Sequence, residues 1–203
     1  ALVSEKLPVL TRDDGTILQC EGFEQFEEPH FERFWPDRSK HFGACVSQER
    51  NYRVKALKQA DVLMLPYLFP AKFSEEDIRK AMAYYLPYTT HDSSLSAIIH
   101  SILFARLGDR VQAMEFFRRG LDIDLDSSAG GAAEGIHIAN CGGIWQAVVF
   151  GFAGMLPAYE SKTPSFSPNL PDGWKSLSFR IVCQGRKYRV TIRGTQAETE
   201  EIQ

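Results

Sequence analysis

The feature that most limits what this chain can fold into is a change of periodicity near Pro157. Up to about Ala158, apolar residues recur at helical spacing. Beyond it, Leu177-Ser-Phe-Arg-Ile-Val and Tyr188-Arg-Val-Thr-Ile-Arg alternate apolar with polar, the period of a strand with one buried face. Pro164, Pro168 and Pro171 mark a connecting stretch between Thr163 and Gly173. The sequence therefore predicts a mainly α chain, helical over 1–158, with a linker and small β domain over 159–203. Gln184-Gly185-Arg186 supplies a turn, so Ser176 to Arg193 reads as a β-hairpin. The acidic run from Ala197 to Gln203 is expected to fray. A single hairpin is marginal alone and must pack on the helices or complete a larger sheet.

Punctuation divides the helical part. Ser74-Glu75-Glu76-Asp77 is a capping-box variant opening a helix that runs to Leu86 and stops at Pro87. Ser94 to Leu107 is apolar on most faces and stops at Gly108. Asp109, with Gln112 three residues on, starts another helix expected to end at Gly120, behind Arg118 and Arg119. These two form a helical hairpin. Ile144 to Met155 is apolar almost all round, as in a helix buried between neighbours.

Several functions are disfavoured. A net charge of −3 with scattered Lys and Arg gives no basic stripe for nucleic acid. The longest apolar run, Ile144 to Leu156, is interrupted by Gln146 and is too short to cross a bilayer. The first residues lack a basic-then-apolar export pattern, so the expected location is the cytoplasm, with no membrane partner. Cys20, Cys45, Cys141 and Cys183 are widely spaced, which favours reduced thiols over disulfides or a metal site. Asp122-Ile-Asp-Leu-Asp126 begins like a calcium loop, but Ser127 stands where that loop needs glycine and Ala133 where it needs glutamate. No Walker loop, serine elbow, HExxH or GxGxxG is present.

Three segments carry possible chemistry. Pro87-Tyr-Thr-Thr-His-Asp-Ser-Ser-Leu-Ser96 places hydroxyls and amides before an apolar helix, where the dipole favours an anion such as phosphate. The plain alternative is an N-cap, with Asp92 or Ser93 satisfying first-turn amides. Gly130-Gly-Ala-Ala-Glu-Gly-Ile-His-Ile-Ala-Asn-Cys-Gly-Gly-Ile-Trp145 allows close backbone approach, and Glu134 and His137 would share a face if that piece is helical. A hydrogen-bonded packing pair is the alternative. Lys58 and Gln59, just before a buried helix, offer donors suited to sugar hydroxyls, or else a solvated helix start.

Taken in order, the segments Ile17-Leu-Gln-Cys-Glu-Gly-Phe, Lys58-Gln-Ala-Asp-Val-Leu, Tyr88-Thr-Thr-His-Asp-Ser-Ser-Leu-Ser, Ala133-Glu-Gly-Ile-His-Ile-Ala and Gly142-Gly-Ile-Trp resemble the second half of glycoside hydrolase family 65, a family of disaccharide phosphorylases. Phe166-Ser-Pro-Asn-Leu-Pro with Trp174-Lys-Ser-Leu-Ser-Phe resembles its small C-terminal β domain. The resemblance implies the C-terminal part of an (α/α)₆ barrel followed by a short β-hairpin or β-sandwich segment. It also implies cleavage of an α-glucosidic disaccharide by inorganic phosphate with inversion to β-glucose 1-phosphate, with no cofactor. Phosphate replaces the water of an inverting hydrolase.

By the same resemblance Lys58, Gln59 and Glu134 hold substrate, and His91, Ser93, Ser94 and His137 bind phosphate. The general acid is expected upstream of Ala1, so this chain is expected to need a missing N-terminal half and to expose apolar inner faces such as Ile144 to Met155 without it. A homodimer is a family tendency. Two other readings stay open: a family hydrolase in which Glu134 activates water, and a non-catalytic sugar-binding remnant.

Overall fold

The structure is a computed structural model and describes residues 9–126, 135–156 and 163–203. Its first third departs from the helical expectation. Residues 9–63 are mostly turns, with a 3₁₀ turn at Phe23–Gln25 and three single-turn helices, α1 (Phe31–Phe34), α2 (Phe42–Cys45) and α3 (Gln48–Asn51). Pieces of one turn do not repay helix nucleation, so aromatic packing holds them. Trp35, Phe42 and Val54 form a separate small core, with the Phe31 ring edge-on to Phe42 at 5.1 Å and the Arg38 guanidinium 4.2 Å from the Trp35 ring.

The regular helices follow: α4 (Met64–Leu68), α5 (Glu75–Tyr85), α6 (Ser96–Arg106), α7 (Arg110–Leu125) and α8 (Ile138–Gln146). At α5 the capping box closes as the sequence predicts. The Ser74 hydroxyl accepts from the Asp77 amide, and the Asp77 carboxylate accepts from the Ser74 amide. Glu75–Arg79 and Glu76–Lys80 pair one turn apart on its outer face. The helix gives way at Leu86-Pro87 to a 3₁₀ turn.

Helix α6 is buried along nearly its whole length and forms the expected hairpin with α7. Gly108 makes the turn at φ 82°, and the Asp109 carboxylate caps α7 at the Gln112 amide, 3.0 Å away. The Ser101 hydroxyl donates to the Ala113 carbonyl at 2.8 Å, stapling the pair. One boundary differs: α7 runs through Gly120 to Leu125. Gly120 is there because the helices touch. A Cβ on it would lie 2.5 Å from the Ile98 Cδ1. At the centre of the hairpin Ile102 and Leu103 are fully buried. Ile102→Ala is expected to cost about 3 kcal/mol, seen as a lower urea midpoint at unchanged slope.

The apolar segment expected over Ile144 to Met155 is two structures. After α8 the chain widens into a π turn over Ala147–Phe152, where the Ala153 amide reaches the Val148 carbonyl at 2.8 Å. Ala147, Val149, Phe152, Ala153 and Met155 are buried, because Gly151 lets this segment lie against the α6 backbone at Ile102. The exposure expected of this stretch is therefore corrected for the residues after Gln146, while Trp145 within it is exposed. On α8 the side chains of Ile138 and Trp145 are exposed. Among the described residues no helix is long and apolar enough to cross a membrane.

The C-terminal part holds two antiparallel sheets. Strands β1 (Met155–Leu156) and β2 (Ser165–Phe166) pair with each other. Strands β3 (Leu177–Cys183), β4 (Arg186–Arg193) and β5 (Gln196–Ile202) form a meander. The hairpin turn falls at Gln184-Gly185, both at positive φ, the geometry that matches the twist of two strands. The tail expected to fray is instead β5, in full register with β4. Its acids are opposite a row of arginines, giving Arg186–Glu201, Arg189–Glu200 and Arg193–Glu198 at 3.0–3.2 Å. An acidic run alone reads as solvated; the facing cations neutralise it across the strand pair. Ile181, Cys183, Tyr188, Val190 and Ile192 join the same core as the helices.

Candidate functional site

A parallel bridge between Leu57 and Thr89 brings two distant segments together. The Leu57 amide donates to the Tyr88 carbonyl and the Thr90 amide to the Leu57 carbonyl, each at 2.8 Å. The loop carrying Lys58 and Gln59 therefore runs beside the loop carrying His91 to Ser94. The Ser93 hydroxyl donates to the Gln59 Oε1 at 2.9 Å and accepts from the Leu95 amide at 3.2 Å. The Gln59 Nε2 donates to Asp61 at 2.8 Å, and Gln19 donates to the other Asp61 oxygen at 3.2 Å. The amide of Gln59 is thus fixed at both ends.

Gln59 and Asp61 border an open cavity of about 220 Å³, which Ser93, Gln19, His91 and His137 do not line. Gln59, Asp61 and Ser94 form one side, and Asn140, Gly143 and Gln146 of α8 form another, with Ile98 and Ile99 of α6 between them. Asp92 does not cap α6. Its carboxylate accepts from the Phe42 amide at 2.8 Å and lies 3.4 Å from His41 Nδ1, tying α2 to this loop. The N-terminus of α6, entered through Leu95, has no side-chain cap among the described residues. An uncapped helix start beside two serine hydroxyls is an environment for oxyanions.

His91 adopts φ 58°, a conformation that histidine tolerates better than most residues. Its Nδ1 is 2.8 Å from the Ser96 Oγ, and its ring lies against His100 at 4.7 Å and Phe116 at 5.2 Å. Burial, with some repulsion from the neighbouring His100 and Arg119, holds its pKa down to about 3. Burial likewise lowers His100 to about 4. Both rings are neutral at pH 7.

His137 immediately precedes α8. Both its backbone N–H and its Nδ1 lie 2.9 Å from the same Asp124 oxygen. The other Asp124 oxygen accepts from Asn140 at 3.1 Å. These donors, the His137 amide foremost, hold the Asp124 carboxyl down at about 2. Gly135 has φ 103°, and His137 is the residue before α8. Glu134 itself lies outside the described residues. Lys58 is exposed and does not border the cavity.

Asp124 and Asn140 escaped the sequence reading. The acidic alternation around Asp124 points to calcium when tested alone, and its partner is 13 residues away. Asn140 stands among small and apolar residues with no local signal of a role, yet it is fully buried.

Residues 2–146 match the model of the glycosyl hydrolase family 65 central catalytic domain. The chain belongs to glycosyl hydrolase family 65. Residues 160–201 match the C-terminal domain of the same family. The kojibiose phosphorylase of Caldanaerobacter subterraneus subsp. tengcongensis is 34% identical over 191 residues, covering 94% of this chain and 25% of that protein. The maltose phosphorylase of Bacillus subtilis is 42% identical over 146 residues, 72% of this chain and 19% of that protein. The α,α-trehalose phosphorylase of Geobacillus stearothermophilus is 38% identical over 147 residues, 71% of this chain and 19% of its own length.

A solved family 65 relative from the human microbiome, provisionally named a kojibiose phosphorylase, superposes at TM-score 0.84 with 27% identity, over 98% of this chain and 28% of that one. This chain therefore spans about a quarter of the length of the curated relatives. Its helices and terminal sheets are the C-terminal part of the family 65 (α/α)₆ barrel with its β domain.

Proposed function

We propose that this chain forms the glucosyl- and phosphate-holding side of an inverting disaccharide phosphorylase. In this reading the helical part, 1–158, carries the site and 159–203 supports it. Gln59, with Lys58 at the rim, holds the glucosyl unit. Ser93, Ser94 and His137 bind phosphate, and His91 shapes the loop beneath it. Glu134 belongs to the same pocket. A carboxylic acid from polypeptide outside residues 1–203 protonates the glycosidic oxygen while a phosphate oxygen attacks the anomeric carbon from the opposite face. The C–O bond to the leaving sugar breaks as the bond to phosphate forms, giving β-glucose 1-phosphate and a free acceptor sugar. Phosphate needs a positive, desolvated cradle that keeps it in line for this displacement.

The observation that carries the reading is the Ser93–Gln59 hydrogen bond. It joins the sugar-donor segment to the hydroxyl-rich segment at the uncapped start of α6, so a transferred glucosyl group and an attacking anion would lie side by side. The names of the relatives, phosphorylases of kojibiose, maltose and trehalose, point the same way.

The test is phosphate-dependent cleavage of those three disaccharides by the intact protein containing this chain. Ser94→Ala is expected to raise the phosphate KM and lower kcat/KM about 10- to 100-fold, the loss of one hydrogen bond to a charged group. Release of free glucose at equal rate without phosphate would sink the proposal in favour of hydrolysis.

A further inference from the structure

The tie between Asp124 and His137 joins two helices across a sequence gap. Asp124 stands in the last turn of α7, and its side chain is only 9% exposed. One of its oxygens takes both the backbone N–H and the Nδ1 of His137, each at 2.9 Å. The other takes the Asn140 Nδ2 at 3.1 Å, and the Cys141 thiol lies 3.8 Å from it. Asn140 also donates to the Gly120 carbonyl at 2.8 Å and borders the cavity beside Gln59 and Ser94. A single carboxylate thus fixes both the histidine before α8 and the buried amide in the cavity wall.

A carboxylate that only capped α8 would need the backbone amide alone. Here the same oxygen also claims the imidazole, and that choice has a chemical consequence. With Nδ1 turned to Asp124, the remaining ring nitrogen, Nε2, is the one left for a ligand. With the ring proton held on Nδ1 by the carboxylate, Nε2 presents its lone pair, which accepts the P–O–H proton of hydrogen phosphate. A fixed second ring nitrogen sets both the orientation and the proton of the first.

We propose that Asp124 is a positioning residue for phosphate, acting through His137 by holding the ring proton on Nδ1 and turning Nε2 outward as the acceptor for a phosphate hydroxyl. The proposal rests on the reading of His137 as a phosphate ligand and adds the group that orients it. Partners of this kind are worth about 10- to 100-fold in affinity or activity when they support a ligating histidine.

The test uses the intact protein containing this chain, inorganic phosphate as the probe, and the variants Asp124→Ala, Asp124→Asn, His137→Ala and the double variant Asp124→Ala/His137→Ala. Phosphate affinity is read by titration, and the His137 side-chain nitrogens by ¹H–¹⁵N correlation. In the wild-type chain the correlation is expected to show a proton on Nδ1, and Asp124→Ala is expected to redistribute it toward Nε2. Asp124→Ala should weaken phosphate binding at least tenfold, and the double variant should bind no more weakly than His137→Ala, because the effect passes through the imidazole. Should Asp124→Ala fold poorly, Asp124→Asn keeps the shape and loses the charge, with the same loss expected.

Equal further weakening by Asp124→Ala in the His137→Ala background would make Asp124 a purely structural tie and overturn the proposal. So would wild-type affinity in Asp124→Asn together with an unchanged imidazole spectrum. An intact wild-type protein indifferent to phosphate would bring down the underlying reading of the site, and this assignment with it.

Discussion

Gly154→Ala is expected to be the most damaging small substitution in the chain, at about 3–5 kcal/mol. Gly154 ends the π turn at φ 63°, where a β-carbon alone costs about 1–2 kcal/mol. An added Cβ would also sit 1.8 Å from the Ser167 carbonyl oxygen and 2.4 Å from its carbon. Both are backbone atoms, so no side chain can swing aside. The Ser167 amide donates to the Gly154 carbonyl at 2.9 Å and the Asn169 amide to the Phe152 carbonyl at 2.9 Å, so the strain falls on the seam joining the helices to the first sheet. Gly120→Ala provides the contrast. Its clash is with the end of the Ile98 side chain, which can rotate, and alanine favours a helix interior. Its expected cost is about 1–2 kcal/mol. Urea denaturation of both variants, followed by circular dichroism, checks the ranking; equal midpoints would refute it.

A steep loss of stability between pH 6 and pH 4 is expected from the two buried histidines. In the unfolded chain both titrate near 6.5; in the folded chain burial lowers His91 to about 3 and His100 to about 4. Above pH 6.5 both states hold the rings neutral and nothing is lost. As pH falls below that value the unfolded state takes up protons that the folded state refuses, so stability falls with pH until the folded values are reached. Each histidine contributes about 1.4 kcal/mol per pH unit and the pair about twice that. His100 is fully buried and its Nε2 has no hydrogen-bond partner among the described residues, so a proton there would meet no acceptor among them. Asp124, lowered to about 2, works in a separate window. Its contribution is present above about pH 4 and disappears only as pH drops toward 2. Urea midpoints at half-unit steps from pH 7 to pH 4 measure the slope, and His100→Asn, which keeps a donor near the Nδ1 position, should halve it. A flat profile would show that the rings are not held neutral.

Part of this site was legible in the sequence because its signals are local. The capping box at Ser74, the Gly108 turn, the Asp109 cap and the alternating strands of β3 and β4 each rest on residues a few positions apart. The hydroxyl-rich loop at Thr89 to Ser94 was legible for the same reason. Family resemblance added order to segments that were individually unspecific, and it was carried by the motifs themselves.

Where the sequence misled, the deciding partner was distant along the chain. The tail read as frayed until arginines on β4 were placed opposite its acids. Gly120 looked like a helix stop, whereas it lies inside α7 with the Ile98 side chain of α6 packed against it. The irregular first third read as helical because its aromatic residues pack as a cluster at spacings that imitate a helix.

The sequence by itself determined the local elements, the change from helix to strand and the candidate donors, since these follow from periodicity, caps and residue chemistry within a turn or two. Only the tertiary structure decided that Gln59 meets Ser93, that His91 is turned inward and neutral, and that Asp124 holds His137. Those outcomes depend on burial and on contacts between segments 13 to 34 residues apart, which no local pattern encodes.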